Sequence, residues 1–276
     1  MLEIYTYLII ILLGLIIGSF LNVLIYRHNT GWSLGGRSRC LSCGQSLKAL
    51  ELIPLISFIW QKGRCKKCDG KISYQYVLVE VITATSFALV LWRGFSQGLS
   101  LNNWVDLVSL SVTLLIVGTL IAIVVYDLRH KIIPDKFVWV FIALGFMLCL
   151  PVFLESGFTQ GLFFALYKIY SGGIFFIIFW AVWYFSRGSL MGFGDAKLVF
   201  GLGVWLGLEV AFYSIMSAFV MGAMAGLVLI GLSNSHKLWS GARSITIKSE
   251  LPFAPFLVLG AFIGYLGFLD VIISIF

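Results

Sequence analysis

The sequence predicts an all-α polytopic membrane protein of about eight transmembrane helices, with a small soluble module between the first and the second. Three observations predict it. Hydrophobic residues make up 60% of the 276-residue chain and charged ones only 11%, with a mean hydropathy of +1.02, which leaves too little polar material to cover a soluble globule. Uncharged runs of about 20 residues, the length a helix needs to cross a bilayer, recur along the chain. Lys and Arg gather in alternate loops.

The first run, Ile4 to Tyr26, carries no charge, with Glu3 before it and Arg27 after it. It lacks the basic start of a signal peptide and reads as a retained anchor. Further spans are predicted over 74–92, 107–126, 137–154, 165–186, 198–213, 214–232 and 252–275. The stretch 198–232 holds enough residues for two short spans that turn near Glu209, and periodicity alone equally allows one span plus a re-entrant segment. The domains expected are a first helix over 1–26, a cytoplasmic module over 27–73 and a transmembrane domain over 74–276.

Charge placement tests the layout, because Lys and Arg collect in loops that stay cytoplasmic. With the N-terminus outside and eight spans, the module carries Arg27, Arg37, Arg39, Lys48, Lys62, Arg64, Lys66, Lys67 and Lys71 inside. Arg129, Lys131 and Lys136, then Arg187 and Lys197, then Lys237, Arg243 and Lys248 also fall inside, leaving Arg93 and Lys168 elsewhere. Glu3, Asp106, Glu155, Glu209 and Asp270 lie at or near the other face. The net charge of +7 is thus one-sided, which orients the protein and draws it to anionic lipid. Nothing more points to a nucleic-acid partner.

Four of the five cysteines lie in the module as Cys40-x-x-Cys43 and Cys65-x-x-Cys68, with Gly44, Gly63 and Gly70 as turn residues. Two such knuckles suit one tetrahedral metal site, and four thiolates suit structural zinc. So small a module could hardly hold together without a staple. Disulfides or free thiols are the other reading, and the reducing cytosol disfavours the disulfides. Cys149, alone in an apolar span, reads as a small core residue.

Two acids sit where acids are rare. Asp127 ends the third span in YDLRHKIIPD, and Asp195 sits in MGFGDAKL at the start of the sixth, both at the cytoplasmic boundary. Two carboxyls near hydrocarbon cannot both ionise cheaply, so they would share one proton. An aspartic protease needs that state: one carboxylate takes a proton from the attacking water while the protonated partner donates to the oxyanion and then to the leaving amine. Gly192 and Gly194 remove Cβ atoms just ahead of Asp195, for a positive φ or for close approach of a substrate strand. Ile133-Pro134 opposes continuation of the third span. Taken singly, each aspartate also reads as an interfacial charge paired with Arg129, His130 or Lys197. His130 could hydrogen-bond Asp127 or face water. Asn22, Tyr26 and Arg27 read as substrate contacts or as a polar cap and snorkelling anchor. Trp92, Trp104 and Tyr170 fit an interfacial belt.

Through GSFLNVLIYR at 18–27, the two CxxC knuckles, GRCKKCDGKISYQYVLVE at 63–80, YDLRHKIIPD, GFGDAKL and LPFAPFL at 251–257, the chain resembles the bacterial prepilin peptidases, or type IV leader peptidases. The resemblance implies that Asp127 and Asp195 are the catalytic pair, with the family's GxGD motif on Gly192 to Asp195. It implies a multi-pass protein of the bacterial cytoplasmic (inner) membrane whose active site faces the cytoplasm. The substrates would be prepilins or pseudopilins, each with a short basic leader and a hydrophobic helix, cut after a glycine. It implies, too, methylation of the new N-terminal amine with S-adenosylmethionine. For that step Glu80, near the inner end of the second span, is a candidate, and its other reading is a helix-end charge paired with a Lys or Arg. The first knuckle, CLSC, lacks the proline common after the first cysteine, and SYQY stands where SxRY is common. Two rival functions remain: a proton-coupled transporter, against which stand the one-sided acids and the lack of an inverted repeat, and a non-catalytic assembly factor docking through its zinc module.

Overall fold

The computed structural model of the protein describes residues 2–30, 33, 35–236 and 252–267. The loop with Lys237, Arg243 and Lys248, and Asp270 in the last predicted span, lie outside the described residues. Among the described residues six helices are long and apolar enough to cross a membrane: Glu3–Arg27, Gln75–Ser96, Trp104–His130, Asp135–Ser156, Phe158–Ser186 and Leu208–Gly231. The protein is a multi-pass membrane protein built of helices. Two shorter helices stand where the other two predicted spans lie, and the chain divides into compact units Met1–Val125 and Tyr126–Phe276.

In the first unit, α1 (Leu2–Arg27) has Glu3 in its first turn and Arg27 in its last, each charge complementing the helix dipole at its end. A 3₁₀ turn (Ala49–Glu51) and the short α2 (Ile56–Trp60) precede α3 (Gln75–Ser96). The backbones of α1 and α3 nearly touch, for a Cβ on Gly14 would stand 2.6 Å from the Cα of Ala84, and one on Gly18 would stand 2.7 Å from the Cα of Glu80. Small residues four apart are how membrane helices approach so closely. Asn22, fully buried, reinforces the pair by donating its amide to the carbonyls of Gly18 and Tyr76, both at 3.2 Å. α4 (Trp104–His130) begins in this unit.

In the second unit, α5 (Asp135–Met147) and α6 (Leu150–Ser156) share one span, followed by α7 (Phe158–Ser186). The next helix, α8 (Phe193–Leu206), is largely buried against α5, α7, α9 (Leu208–His236) and α10 (Ala254–Tyr265). With 14 residues it rises about 21 Å, short of the ~30 Å of hydrocarbon. The turn expected near Glu209 falls at Gly207, whose φ of +83° suits glycine, and so lies ahead of the boundary drawn between spans 198–213 and 214–232.

A helix break amid apolar packing frees backbone groups that no water satisfies. Here α7 supplies the partners. Lys168 donates from Nζ to the Trp205 carbonyl at 2.9 Å, Ser171 donates to the Gly203 carbonyl at 3.0 Å, and the Leu208 N–H donates to the Tyr167 hydroxyl at 3.1 Å. The buried Lys168, one of two cations that the charge layout left off the inner face, thus caps the C-terminus of α8, where a positive charge is favoured.

Candidate active site and metal centre

Asp127 lies in the last turn of α4. The helix ends there because Lys131 takes a φ of +54° and Pro134 forms the N-cap of α5, the interruption expected at Ile133-Pro134. Asp195 lies in the first turn of α8, three residues after its N-cap Gly192. Both aspartates are buried, with 4% and 9% of their surface exposed. The Gly192 N–H donates to Oδ2 of Asp195 at 3.2 Å, the reciprocal half of a capping box. The Ala254 N–H, first in α10, hydrogen-bonds the carboxyl of Asp127. Each carboxyl therefore meets the free N–H groups and positive dipole of a helix start.

Asp127 is near enough for its charge to act on Asp195. Burial first, and that charge second, push the Asp195 carboxyl from an ordinary 3.8 up to about 7, against the pull of the Gly192 N–H. Oδ2 of Asp127 is buried with no hydrogen-bond partner among the described residues. An orphaned carboxylate oxygen beside a second acid is a place for a water or a reacting carbonyl. Lys197, one of the cations expected to neutralise these acids, binds Asp135 at 2.6 Å and covers the Phe193 ring. His130 is exposed and packs on Tyr126 with ring centroids 4.4 Å apart.

The glycines ahead of Asp195 work differently from one of the two ways expected. Gly192 is extended, with φ −75° and ψ 147°, and Gly194 is not among the positive-φ residues. Space is the reason for Gly194: a Cβ there would stand 2.9 Å from Cβ of Ile133, so the segment after α4 and the start of α8 touch at this glycine. Sequence reasoning missed Ala254. Its signal was the helix-starting Pro255 inside LPFAPFL, since proline is favoured in a first turn.

In the first unit, Glu80 is 5% exposed. Its partners are the Leu55 N–H, at 2.9 Å from Oε2, and the Ser19 hydroxyl, and neither is the Lys or Arg of a helix-end ion pair. Tyr26 stacks on Tyr76, 5.3 Å between centroids and 8° between planes. Arg27 donates to the carbonyls of Ser33, Gly35 and Arg37.

The two knuckles of the module are built alike. Each is closed by an isolated antiparallel bridge, Arg39 to Ser46 and Arg64 to Lys71, and each has a positive φ four residues after its first cysteine, at Gly44 and Asp69. Gly70 leaves room for the opposite knuckle, since a Cβ there would lie 2.9 Å from Ser42 Oγ. Sγ atoms of Cys40, Cys43, Cys65 and Cys68 lie within 4.8 Å of one another, and those of Cys40 and Cys68 are 3.9 Å apart. Four thiolates at ~2.3 Å around one tetrahedral ion stand ~3.8 Å apart, so this cluster can hold a metal ion. The Cys43 N–H holds the Cys40 thiol down to about 6. Cys68 is drawn down by the Gly70 N–H, but its thiol neighbours push it up to about 11. Such a split is expected of thiols that cannot all ionise without a cation among them. Cys149 is buried, as a core residue would be.

The chain is similar to known proteins over most of its length. Residues 12–94 match the bacterial peptidase A24 N-terminal domain, and residues 114–227 match the type IV leader peptidase family. Among similar proteins, the prepilin leader peptidase/N-methyltransferase of Dickeya chrysanthemi is 30% identical over 92% of this chain and 90% of its own length. Proteins of the same name from Pectobacterium carotovorum subsp. carotovorum and Pseudomonas aeruginosa are each 29% identical, over 91% and 93% of this chain and 90% and 88% of their own lengths. No solved structure matches the chain.

Proposed function

Since the chain belongs to the type IV leader peptidase family, we propose that it is an aspartic endopeptidase that removes the basic leader of prepilins or pseudopilins with Asp127 and Asp195. Cleavage follows a glycine, at the cytoplasmic face of the bacterial inner membrane. The observation that carries the reading is the pairing itself: two buried carboxyls, Asp195 pushed up to about 7 by burial and by the charge of Asp127, and Asp127 with an orphaned oxygen.

In this reading the ionised member takes a proton from water as the water attacks the scissile carbonyl, and the protonated member donates to the oxygen of the tetrahedral intermediate. The helix starts at Gly192 and Ala254 orient the carboxyls without neutralising them. Lys197 stays with Asp135, which keeps a fixed cation off the dyad. The four cysteines hold a structural zinc ion that fixes the module, and no chemical step passes through it. The relatives' second name, N-methyltransferase, supports methylation of the new N-terminus with S-adenosylmethionine as donor, a step separate from the aspartates.

The test is to incubate the purified full chain in lipid nanodiscs with a prepilin and to weigh the products. Asp127→Asn and Asp195→Asn should each abolish cleavage, because an amide is neither acid nor base, and the double variant should be no worse than either, as for groups that act as a unit. Cleavage by either correctly inserted single variant would refute the reading.

A further inference from the structure

In the first unit the short α2 (Ile56–Trp60) has two unlike faces. Its inner face carries Phe58, whose ring meets that of Tyr74 at 5.5 Å between centroids and leaves only 3.0 Å to a Cβ built at Gly63. On the other face Ile56, Ile59 and Trp60, spaced as neighbours on one side of a helix, are exposed, Ile59 by 73% and Trp60 by 77%. Ile53, a turn earlier, is exposed with them. A helix of 5 residues cannot cross a bilayer, so this apolar face is not that of a span.

Its position beside α1 explains the face. Leu52, Ile53 and Pro54 share a groove with Ile16, Phe20 and Val23 of α1. Phe20 is exposed on the span and lies about 10 Å along α1 from Arg27, the charge in its last turn. The chain ahead of α2 therefore runs beside apolar turns of α1 and not above its charged end. Leu55, which turns the chain there at φ +58°, donates its N–H to Glu80 in the second turn of α3. Backbone entering apolar surroundings must find its partners within the protein, and the N–H groups of Leu52, Leu55, Ser57 and Ile59 all do so. Charge follows directly after the apolar residues. Lys62 and Lys66 are both exposed, and Nζ of Lys66 lies 5.9 Å from the centre of the Trp60 ring. An indole beside ammonium groups matches a layer of anionic headgroups over hydrocarbon.

We propose that residues 49–66 form an interfacial anchor: Ile53, Ile56, Ile59 and Trp60 enter the bilayer leaflet on the module's side, and Lys62 and Lys66 bind its anionic headgroups. Apolar helix faces of this kind sit about 5–10 Å into the boundary of headgroup and acyl chain, the depth that the groove beside Phe20 requires. The anchor gives the cysteine module an attachment besides the ends of α1 and α3, and sets its tilt over the membrane.

The experiment places a benzophenone amino acid at Trp60, and at Ile59 should the first protein not insert, in the full chain in nanodiscs of phosphatidylcholine mixed with phosphatidylglycerol, and weighs the products of irradiation. Phospholipid adducts are expected, with phosphatidylglycerol enriched at least about twofold over its share of the lipid. Lys62→Gln together with Lys66→Gln should abolish the enrichment and leave the adducts. Added prepilin should leave them too. Adducts to a second copy of the chain or to prepilin in place of lipid, no lipid adduct from either position, or lipid adducts without preference for the anionic headgroup would each overturn the anchor. A further variant needs no probe. Ile59→Asp sets a charge in the leaflet at a side chain that packs on little of the protein, and should raise the protease sensitivity of the module severalfold in nanodiscs while the spans stay resistant. Unaltered sensitivity of the module would also overturn the proposal.

Discussion

Lys197 binds Asp135 across 2.6 Å, although Asp195 is only two residues away in sequence. The lysine faces the start of α5, and the aspartate faces inward toward Asp127. Two acids are thereby left to settle their charge between themselves, and this is the condition for a shared proton.

The pH dependence follows from that sharing. The folded protein raises the Asp195 carboxyl from 3.8 to about 7. Its contribution to stability is therefore full below about pH 4 and is lost as the pH rises through 7. Melting curves should show the wild type losing stability between pH 4 and 8 relative to Asp195→Asn, which has no such carboxyl to ionise. Cleavage should fall on the alkaline side of about pH 7 as the donor proton is lost, with the apparent value belonging to the pair. An alkaline limb unchanged in position by substitutions beside the dyad, at Gly192 for instance, would argue against this origin.

Gly194→Ala should push α8 away from Ile133. Overpacking of this sort costs about 1–3 kcal/mol, and a displacement of about 1 Å at a reacting group can cost ~100-fold in rate. Cleavage should drop steeply while the protein stays inserted. Ile133→Gly, which removes the obstructing Cβ, should restore part of it, as kinetics of the double variant would reveal.

Lys168→Met should lower thermal stability, because the Trp205 carbonyl at the end of α8 would lose its donor. An unsatisfied buried group costs about 1–3 kcal/mol. Lys168→Gln keeps a donor and should lose less. Equal melting temperatures for the two variants would show that the charge, and not the hydrogen bond, caps the helix.

Replacing Cys40, Cys43, Cys65 and Cys68 by Ser should remove bound metal, which elemental analysis of protein purified under reducing conditions would read. Protease sensitivity should rise in the module and not in the spans. Cleavage should fall less than the module's resistance does.

The long helices were legible in the sequence because a bilayer imposes a length and a polarity that few other environments impose. The two acids were legible for the same reason, since Asp127 and Asp195 stand at the ends of long apolar runs where acids are rare, and the cysteines by their spacing. What pattern could not supply was the choice among partners. Nothing in a run that is apolar on both sides of Gly207 marks the break there rather than at the boundary drawn between 213 and 214, and only the donors on α7 make it tolerable. Glu80 looked like one half of a helix-end ion pair, yet it accepts from Leu55, 25 residues earlier, a contact that exists only once the module folds back. The glycines before Asp195 signalled a need for glycine without saying whether the need was for conformation or for space.

The contact of Gly14 and Gly18 with α3 bears on the order in which the protein is made. The chain between Arg27 and Gln75 leaves and rejoins the same helix pair, so its ends are held together only after α3 has entered the membrane and docked. Before that, the two thiol pairs belong to an open chain, and closing so long a loop around one ion carries its full entropic cost. Docking removes part of that cost in advance. Metal capture is thus coupled to insertion, and a bulky residue at Gly18, inside the helix pair, should register in the module as weaker metal binding by cysteines it never touches.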